Sequence, residues 1–335
     1  LIRALARRLA WALLVVWAVA SVAFVLNNVI PGDPAQLIAG PQARAADVQR
    51  VRADLGLDRP LAVQYARYMT RLVHAGAWTF DSKADKAHAT CAAFVPGLHV
   101  DLGRSYTLRQ PVVKVLGDRI PRTLVLAVAA VALQLAFGVT AGVLAARRKN
   151  SFVDYFAVGG SLLGISAPTF LIGLFLQFVF AYKLHVLPKD GYGETFAEHA
   201  AGIVLPALTL GIFGAAYYTR LVRDEMIGLL GQDHVRTARA KGLGEGAVVM
   251  KHGLRNALVP LVTVVGLDLG ALVGGAIVTE SIFRWPGLGS LSVNALQNRD
   301  GPVILGTVIV TSTAIVASNL LVDALYAALD PRVRR

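Results

Sequence analysis

Cysteine is nearly absent: the 335 residues include one, Cys91. A single thiol excludes an internal disulfide framework and a Cys-x-x-Cys metal site. Charge is scarce too, at 16% of residues, where soluble domains carry roughly a quarter. Acids are the scarcer sign, 21 against 33 Lys and Arg, for a net charge of +12. The chain has no G-x-x-x-x-G-K-[ST] and so no P-loop of its own. It also lacks a G-x-S-x-G nucleophile elbow and an H-E-x-x-H zinc pair.

What is plentiful is apolar: 55% of residues are hydrophobic, and mean hydropathy is +0.57. That composition is a membrane protein's. The basic residues flank apolar runs instead of forming a stripe, which is the pattern of membrane orientation and argues against nucleic acid as a partner. A bilayer core takes about 20 apolar residues as helix. Six stretches reach that length: Leu9–Ile30, Thr123–Ala146, Tyr155–Tyr182, Ile203–Val222, Ala257–Phe283 and Val303–Leu329. The runs are continuous, whereas barrel strands alternate. Ala18-Val19-Ala20 imitates a signal-peptidase site, but the apolar run continues to Leu26. The segment is read as a retained first helix, with cleavage as the alternative.

The short loops divide by charge. Arg3, Arg7 and Arg8, then Arg147 to Lys149, then Arg236, Arg239, Lys241, Lys251 and Arg255, then Arg332 to Arg335 fall on one side of a six-span chain. Asp190, Glu194, Glu198 and Asp300 fall on the other. Positive-inside orientation predicts an all-α membrane protein with both termini cytoplasmic. Residues 1–30 are then the first span, 31–122 an extracytoplasmic segment, and 123–335 a five-helix core. The outer segment reads as partly helical, with apolar stripes at Val48, Val51, Leu55 and at Leu61, Tyr65, Tyr68, Leu72. Ala75 to Leu102 reads as an irregular polar insertion. His88, Cys91 and His99 there have a loosely ligand-like spacing. A solvated loop accounts for them as well, and no metal is assigned.

Polar groups inside spans are expensive and point to a pathway or a packing interface. Asp268 and Glu280 fall in span five, Gln134 in span two, Asn319 and Asp323 in span six. Asp268, Glu280 and Gln134 are the candidate pathway residues. Gly266, Gly270 and Gly274 recur every fourth residue, as do Gly138 and Gly142, giving faces on which a second helix packs closely. Pro168, Pro206 and Pro260 are positioned to bend or break their helices.

Between spans four and five lies a basic, glycine-punctuated hairpin, about 228–256. Asp233 is placed to cap a helix running to about Lys241, Gly242 to end it, and a second helix is expected from Ala247 to about Asn256. Lipid headgroups account for its cations. They do not account for Thr237, Ala238 and Ala240 before a glycine stop, which suit close protein contact.

"DHVRTARAKGL" followed by "HGLRNALVP" resembles the coupling motif of the dipeptide/oligopeptide ABC-importer permease family, B-type transmembrane subunit. "VIPGDPAQLIAG", "LGLDRPLAVQYARYM", "DLGRSYTLRQPV", "ESIFRWPGLGSL" and "NLLVDALYAALDPRVR" resemble the same family in order, over nearly the whole chain. The resemblance implies a type I ABC-importer permease in a bacterial cell membrane. It would pair with a second homologous permease, two ABC ATPase subunits that hold ATP and Mg, and an extracytoplasmic substrate-binding lipoprotein, with membrane lipid around it. This chain would bind no cofactor and catalyse no covalent step. Arg236, Thr237, Ala238, Arg239, Ala240, Lys241, Gly242 and Leu243 would dock on an ATPase. The broader importer motif opens Glu-Ala-Ala where Arg236-Thr237-Ala238 stands here, so the glutamate's role does not transfer. Relatives carry dipeptides, longer peptides, nickel chelates or haem. From the residues alone, two rivals stand beside this reading: an ion- or proton-coupled secondary transporter using Asp268 and Glu280, and a membrane receptor or anchor.

Overall fold

The computed structural model describes residues 2–29, 33–40, 42–75, 90–95 and 98–329. It divides into two compact units, Leu1–Pro121 with Leu291–Ala314, and Arg122–Ser290 with Ile315–Arg335.

The first unit opens with α1 (Ile2–Val29), α2 (Pro34–Ala39), α3 (Ala45–Asp54) and α4 (Leu61–Leu72). Asp33 caps α2, accepting from the Ala35 N–H at 3.0 Å with proline as the first helical residue. Helix α4 lies on α1 through aromatics: the Phe24 ring stacks on Tyr68 at 5.2 Å and meets Tyr65 edge-on at 5.4 Å. Past α4 the chain departs from the irregular loop read in the sequence. Strands β1 (Val73–Ala75), β2 (Cys91–Val95) and β3 (Leu98–Asp101) form an antiparallel sheet in the order β1-β3-β2. Such short strands show too little alternation to be read as a sheet. Arg71 of α4 anchors the end of the central strand, β3, with Nη2 2.8 Å from the buried Asp101 carboxylate.

Helix α5 (Val112–Arg147) is 36 residues long and begins eleven residues before the expected span. Pro121 sits inside it. Polar Lys114, Asp118 and Arg119 had hidden these first turns, which are helix on the solvent side of the apolar run. In the second unit, Gly138 and Gly142 let α5 approach α9 (Val204–Leu230). A Cβ at Gly138 would lie 2.6 Å from Tyr218 Cβ, and one at Gly142 2.8 Å from the Thr219 carbonyl. Span three is broken: α6 (Phe152–Ser166) and α7 (Thr169–Leu176), which runs on into a π-helical turn (Gln177–Lys183), meet at 102° around Ala167-Pro168. Proline forces its predecessor out of the helical region, and Ala167 is extended. Pro206 does not bend α9. It lies in the first turn, after α8 (Phe196–Gly202), where the missing N–H has no intrahelical partner to lose.

Helix α10 (Asp233–Ala240) and α11 (Glu245–Ala247) form the hairpin. A second π-helical turn (Val248–Leu254) leads directly into α12 (Arg255–Val273). The expected second hairpin helix is therefore the start of span five, bent by 48° near Pro260. Then come α13 (Ile277–Ile282), α14 (Leu288–Gln297) and α15 (Gly301–Leu329). Gly266 and Gly270 bring α12 against α15: a Cβ at Gly266 would overlap Val322, and one at Gly270 would lie 3.0 Å from Ser318 Cβ. Gly274 instead ends α12, its N–H bonded to the Gly270 carbonyl at 3.1 Å. Among the described residues, four helices are long and apolar enough to cross a membrane, and up to six if each bent pair is one span.

Candidate functional site: the polar hairpin and the buried carboxylates

Helix α10 is short, and its ends are set by local chemistry. Gln232 occupies the N-cap with no side-chain bond, so Asp233 is the first helical residue and not the cap that the sequence suggested. An acid there still favours the positive end of the helix, and it lies 3.6 Å from Arg236. At the other end Gly242 takes φ +77, the Gly242 N–H reaches the Arg239 carbonyl at 2.9 Å, and Leu243 N–H reaches Ala238 at 3.3 Å. This pair of bonds is a Schellman stop, and it requires a residue at ease with positive φ.

The hairpin has a core of its own. Val235, Ala238 and Val248 are buried together, with Leu230 and Leu243 packed against them. Ala238 therefore turns inward, one helical turn from Val235 on the same face, and Leu243, past the glycine turn, packs partly buried against them, so neither belongs to the exposed face. Arg236, Thr237, Ala240, Lys241 and Gly242 are exposed, along with His234. Arg239 is exposed but engaged. Its Nε lies 2.6 Å from Glu245 Oε1 and its Nη2 3.4 Å from Oε2, a fork that braces α10 on α11. The hydrogen bonds from Arg239, reinforced by its charge and that of Arg147, hold the Glu245 carboxyl below its ordinary range. The hairpin thus presents a preformed basic face with a small residue, Ala240, beside a fixed glycine turn.

Of the three candidate pathway residues, the fold brings two together. Tyr218 on α9 donates its hydroxyl to Asp268 Oδ2 at 3.0 Å. The Gln134 side chain, buried on α5, lies close to the same carboxylate, and its amide donates to the Leu210 carbonyl at 3.3 Å. Gly214 leaves the room that Gln134 fills, since a Cβ there would overlap its amide. Asp268 itself stays half-exposed.

Glu280 departs from the pathway expectation. It is 0% exposed and lies beyond the end of α12, in α13. Thr123 Oγ1 donates to Glu280 Oε1 at 3.1 Å and accepts from the Leu288 N–H at 2.8 Å. The Ser290 N–H reaches Oε2 at 2.9 Å, and the Trp285 indole donates to the Arg122 carbonyl at 3.1 Å. A Cβ at Gly287 would overlap the carboxylate, and one at Gly289 would lie 3.0 Å from Oε2. The motif "ESIFRWPGLGSL" is therefore a turn wound around its own glutamate.

Two further carboxylates escaped sequence reasoning. In the first unit Asp300, 1% exposed, accepts from Ser105 Oγ at 2.5 Å, Thr107 Oγ1 at 2.6 Å and the Tyr106 and Thr107 N–H groups at 3.1 Å each. In the second, buried Asp154 at the start of α6 is held by Arg223 of α9, Nε to Oδ1 at 2.5 Å and Nη2 to Oδ2 at 2.9 Å. The signal present in the sequence was a lone acid beside an apolar run. Its partners, 195 and 69 residues away, were not visible. Asn319 is exposed, and the Asp323 side chain lies outside the described set. So does His88. Cys91 Sγ is 3.5 Å from His74 Nε2 and the His74 and His99 rings stack at 5.7 Å, but no three metal-binding side chains converge among the described residues.

The fold is that of a helical protein with several helices long and apolar enough to cross a membrane. The chain aligns with the inward-facing MetNI methionine ABC transporter over 66% of its own length and 98% of that chain, with a TM-score of 0.52 at 17% identity, a likeness of fold. It belongs to the family of binding-protein-dependent transport system inner membrane components, whose profile matches residues 138–335, with the family's N-terminal component on residues 1–127. It is 39% identical, over 98% of both chains, to a Brucella abortus protein provisionally named a peptide transport system permease. It is also 39% identical to the glutathione transport system permease protein of Escherichia coli, over 93% of this chain and 92% of that one. As a permease component of such a system it is a multi-pass inner-membrane subunit without catalytic activity, working with separate ATPase and substrate-binding proteins.

Proposed function

We propose that this chain is half of the translocation pathway of an ATP-driven peptide importer. Its names-by-relation support the cargo class, since the relatives noted above are named for peptide and glutathione transport. In this reading each bent pair is one span, giving six, with both termini and the hairpin in the cytoplasm, and the loop charges support that orientation. A second homologous permease completes the pathway, two ATPases hold ATP and Mg, and a binding protein delivers cargo from outside. The face of α10 with Arg236, Thr237, Ala240, Lys241 and Gly242 docks on an ATPase, braced from behind by Arg239 and Glu245.

The observation that carries the docking assignment is the hairpin's own core. Its apolar side is spent internally, so it moves as a solid piece, and α11 runs without a loop into span five. Displacement at the ATPase is thereby passed to the helix that carries Asp268. ATP shifts the transport equilibrium only by fitting one hairpin arrangement better than the other. Asp268, with Tyr218 and Gln134, is the polar group placed to meet a peptide amine.

The test is uptake by proteoliposomes holding the assembled importer, with its binding protein outside. ATP inside the ATPase compartment drives accumulation of a dipeptide or glutathione, and a proton gradient alone does not. Accumulation of nickel chelate or haem in place of every peptide offered would overturn the cargo assignment; uptake driven by the gradient without ATP would overturn the mechanism.

A further inference from the structure

An apolar slot of about 460 Å³ opens on the second unit between α5, α6 and α9. Phe137, Leu144, Phe152 and Phe156 wall it, and Ala157 and Gly160 keep it open. Along α6 it extends from Phe152 to Gly164, about 18 Å at 1.5 Å per residue. Its aromatic walls are uncovered, with Phe156 73% and Phe152 82% exposed. One end lies where α5 gives way to α6, and there the sequence is Arg147-Arg148-Lys149.

These three cations are exposed, and none forms an ion pair among the described residues. The acid nearest them in sequence, Asp154, is taken by Arg223. Arg147 acts at a distance on Glu245, and Lys149 on Asp154. The slot therefore joins an apolar trough of about 18 Å to a cationic mouth, without a direct ion pair among the described residues, at the level where a membrane helix ends. A detergent-like neutral chain matches only the trough, and a free anion only the mouth.

We propose that this slot is a binding site for an anionic phospholipid, with one acyl chain along α6 and the headgroup phosphate on Arg148 and Lys149. The lipid fills the wedge between α6 and α9, lined on those helices by Phe156, Gly160, Ala216 and Thr219. Acyl burial and phosphate attraction both contribute, as two signals do in stable lipid anchoring.

Native mass spectrometry of the assembled importer, released from nanodiscs of phosphatidylcholine doped with phosphatidylglycerol, counts the lipid retained. Wild type is expected to keep phosphatidylglycerol in preference to phosphatidylcholine. Arg148→Gln and Lys149→Gln, both at exposed positions, each lower that preference by about five-fold. Gly160→Leu fills the slot where a Cβ meets no atom within 4 Å, and it lowers retention without altering the mouth. Equal retention in the wild type and the Arg148→Gln/Lys149→Gln double variant overturns the site. So does loss in that variant with full retention in Gly160→Leu, which marks headgroup attraction without a slot. Displacement of the lipid by excess inorganic phosphate, or wild-type cross-linking of Phe156 to a partner permease with no lipid retained, overturns it as well.

Discussion

Glu280 and Asp268 lie twelve residues apart in one apolar stretch, and the sequence treats them alike. The fold does not. Glu280 is sealed, with a hydroxyl and a backbone N–H aimed at its oxygens and two glycines pressed against it. Asp268 is half-buried and accepts one tyrosine hydroxyl. A buried carboxylate with its donors supplied organises a turn, because removing it leaves those donors unpaired in a medium without water. A half-exposed carboxylate keeps acceptor capacity for a visitor. The contrast separates an acid enclosed by its own turn from one that keeps a partly open side.

The largest effect should come from the sealed site. Glu280→Ala orphans the Thr123 hydroxyl and the Ser290 N–H and should cost about 3 kcal/mol or more, seen as a large fall in Tm and in membrane yield. Gly287→Ala pushes a methyl group into the same carboxylate and should cost about 1–3 kcal/mol, with Glu280→Gln milder than either. A Glu280→Ala protein of wild-type Tm would erase the distinction. Asp268→Asn should behave in the opposite way: Tm shifts by less than about 1 kcal/mol equivalent, since Asn still accepts from Tyr218, while uptake falls about ten-fold or more. If uptake by Asp268→Asn matches wild type, the carboxylate is packing only.

Smaller effects belong to the hairpin brace. Glu245→Gln should lower coupled uptake a few-fold and leave Tm unmoved, because an exposed pair contributes little to global stability. The pH dependence has a definite sign. Arg239 depresses the Glu245 carboxyl, so the brace is intact above the ordinary value of 4.5 and is lost as pH falls below it. Hydrogen exchange of the α10 amides should be constant relative to intrinsic rates from pH 5 to 8 and should rise selectively below 4.5. The same rise in Glu245→Gln would assign it to another group.

Much of the fold was legible because its rules are local. Apolar length found the spans, Pro168 marked the break in span three, Gly138 and Gly142 marked close packing, and Gly242 marked the end of α10. The hairpin was legible as a unit for the same reason. Its facing was not: Ala238 belongs to a core completed by Val248, ten residues on and past a turn. Glu280 was misread because its partner Thr123 is 157 residues away, and no periodicity reports such a contact. The three short strands carried no alternation strong enough to reveal them. Gly287 and Gly289, seven and nine residues past Glu280, come against its carboxylate only through the turn between them.

The central claim is that the exposed face of α10 is where ATP acts on this chain, and Ala240→Trp in the assembled importer tests it most directly. Ala240 is exposed and outside the hairpin core, so the variant should fold, assemble its membrane part and melt like wild type. ATP hydrolysis and peptide uptake are then measured together in proteoliposomes. The account predicts uptake lost by about ten-fold or more per ATP hydrolysed, with Tm unchanged. Wild-type uptake per ATP from that variant would contradict it.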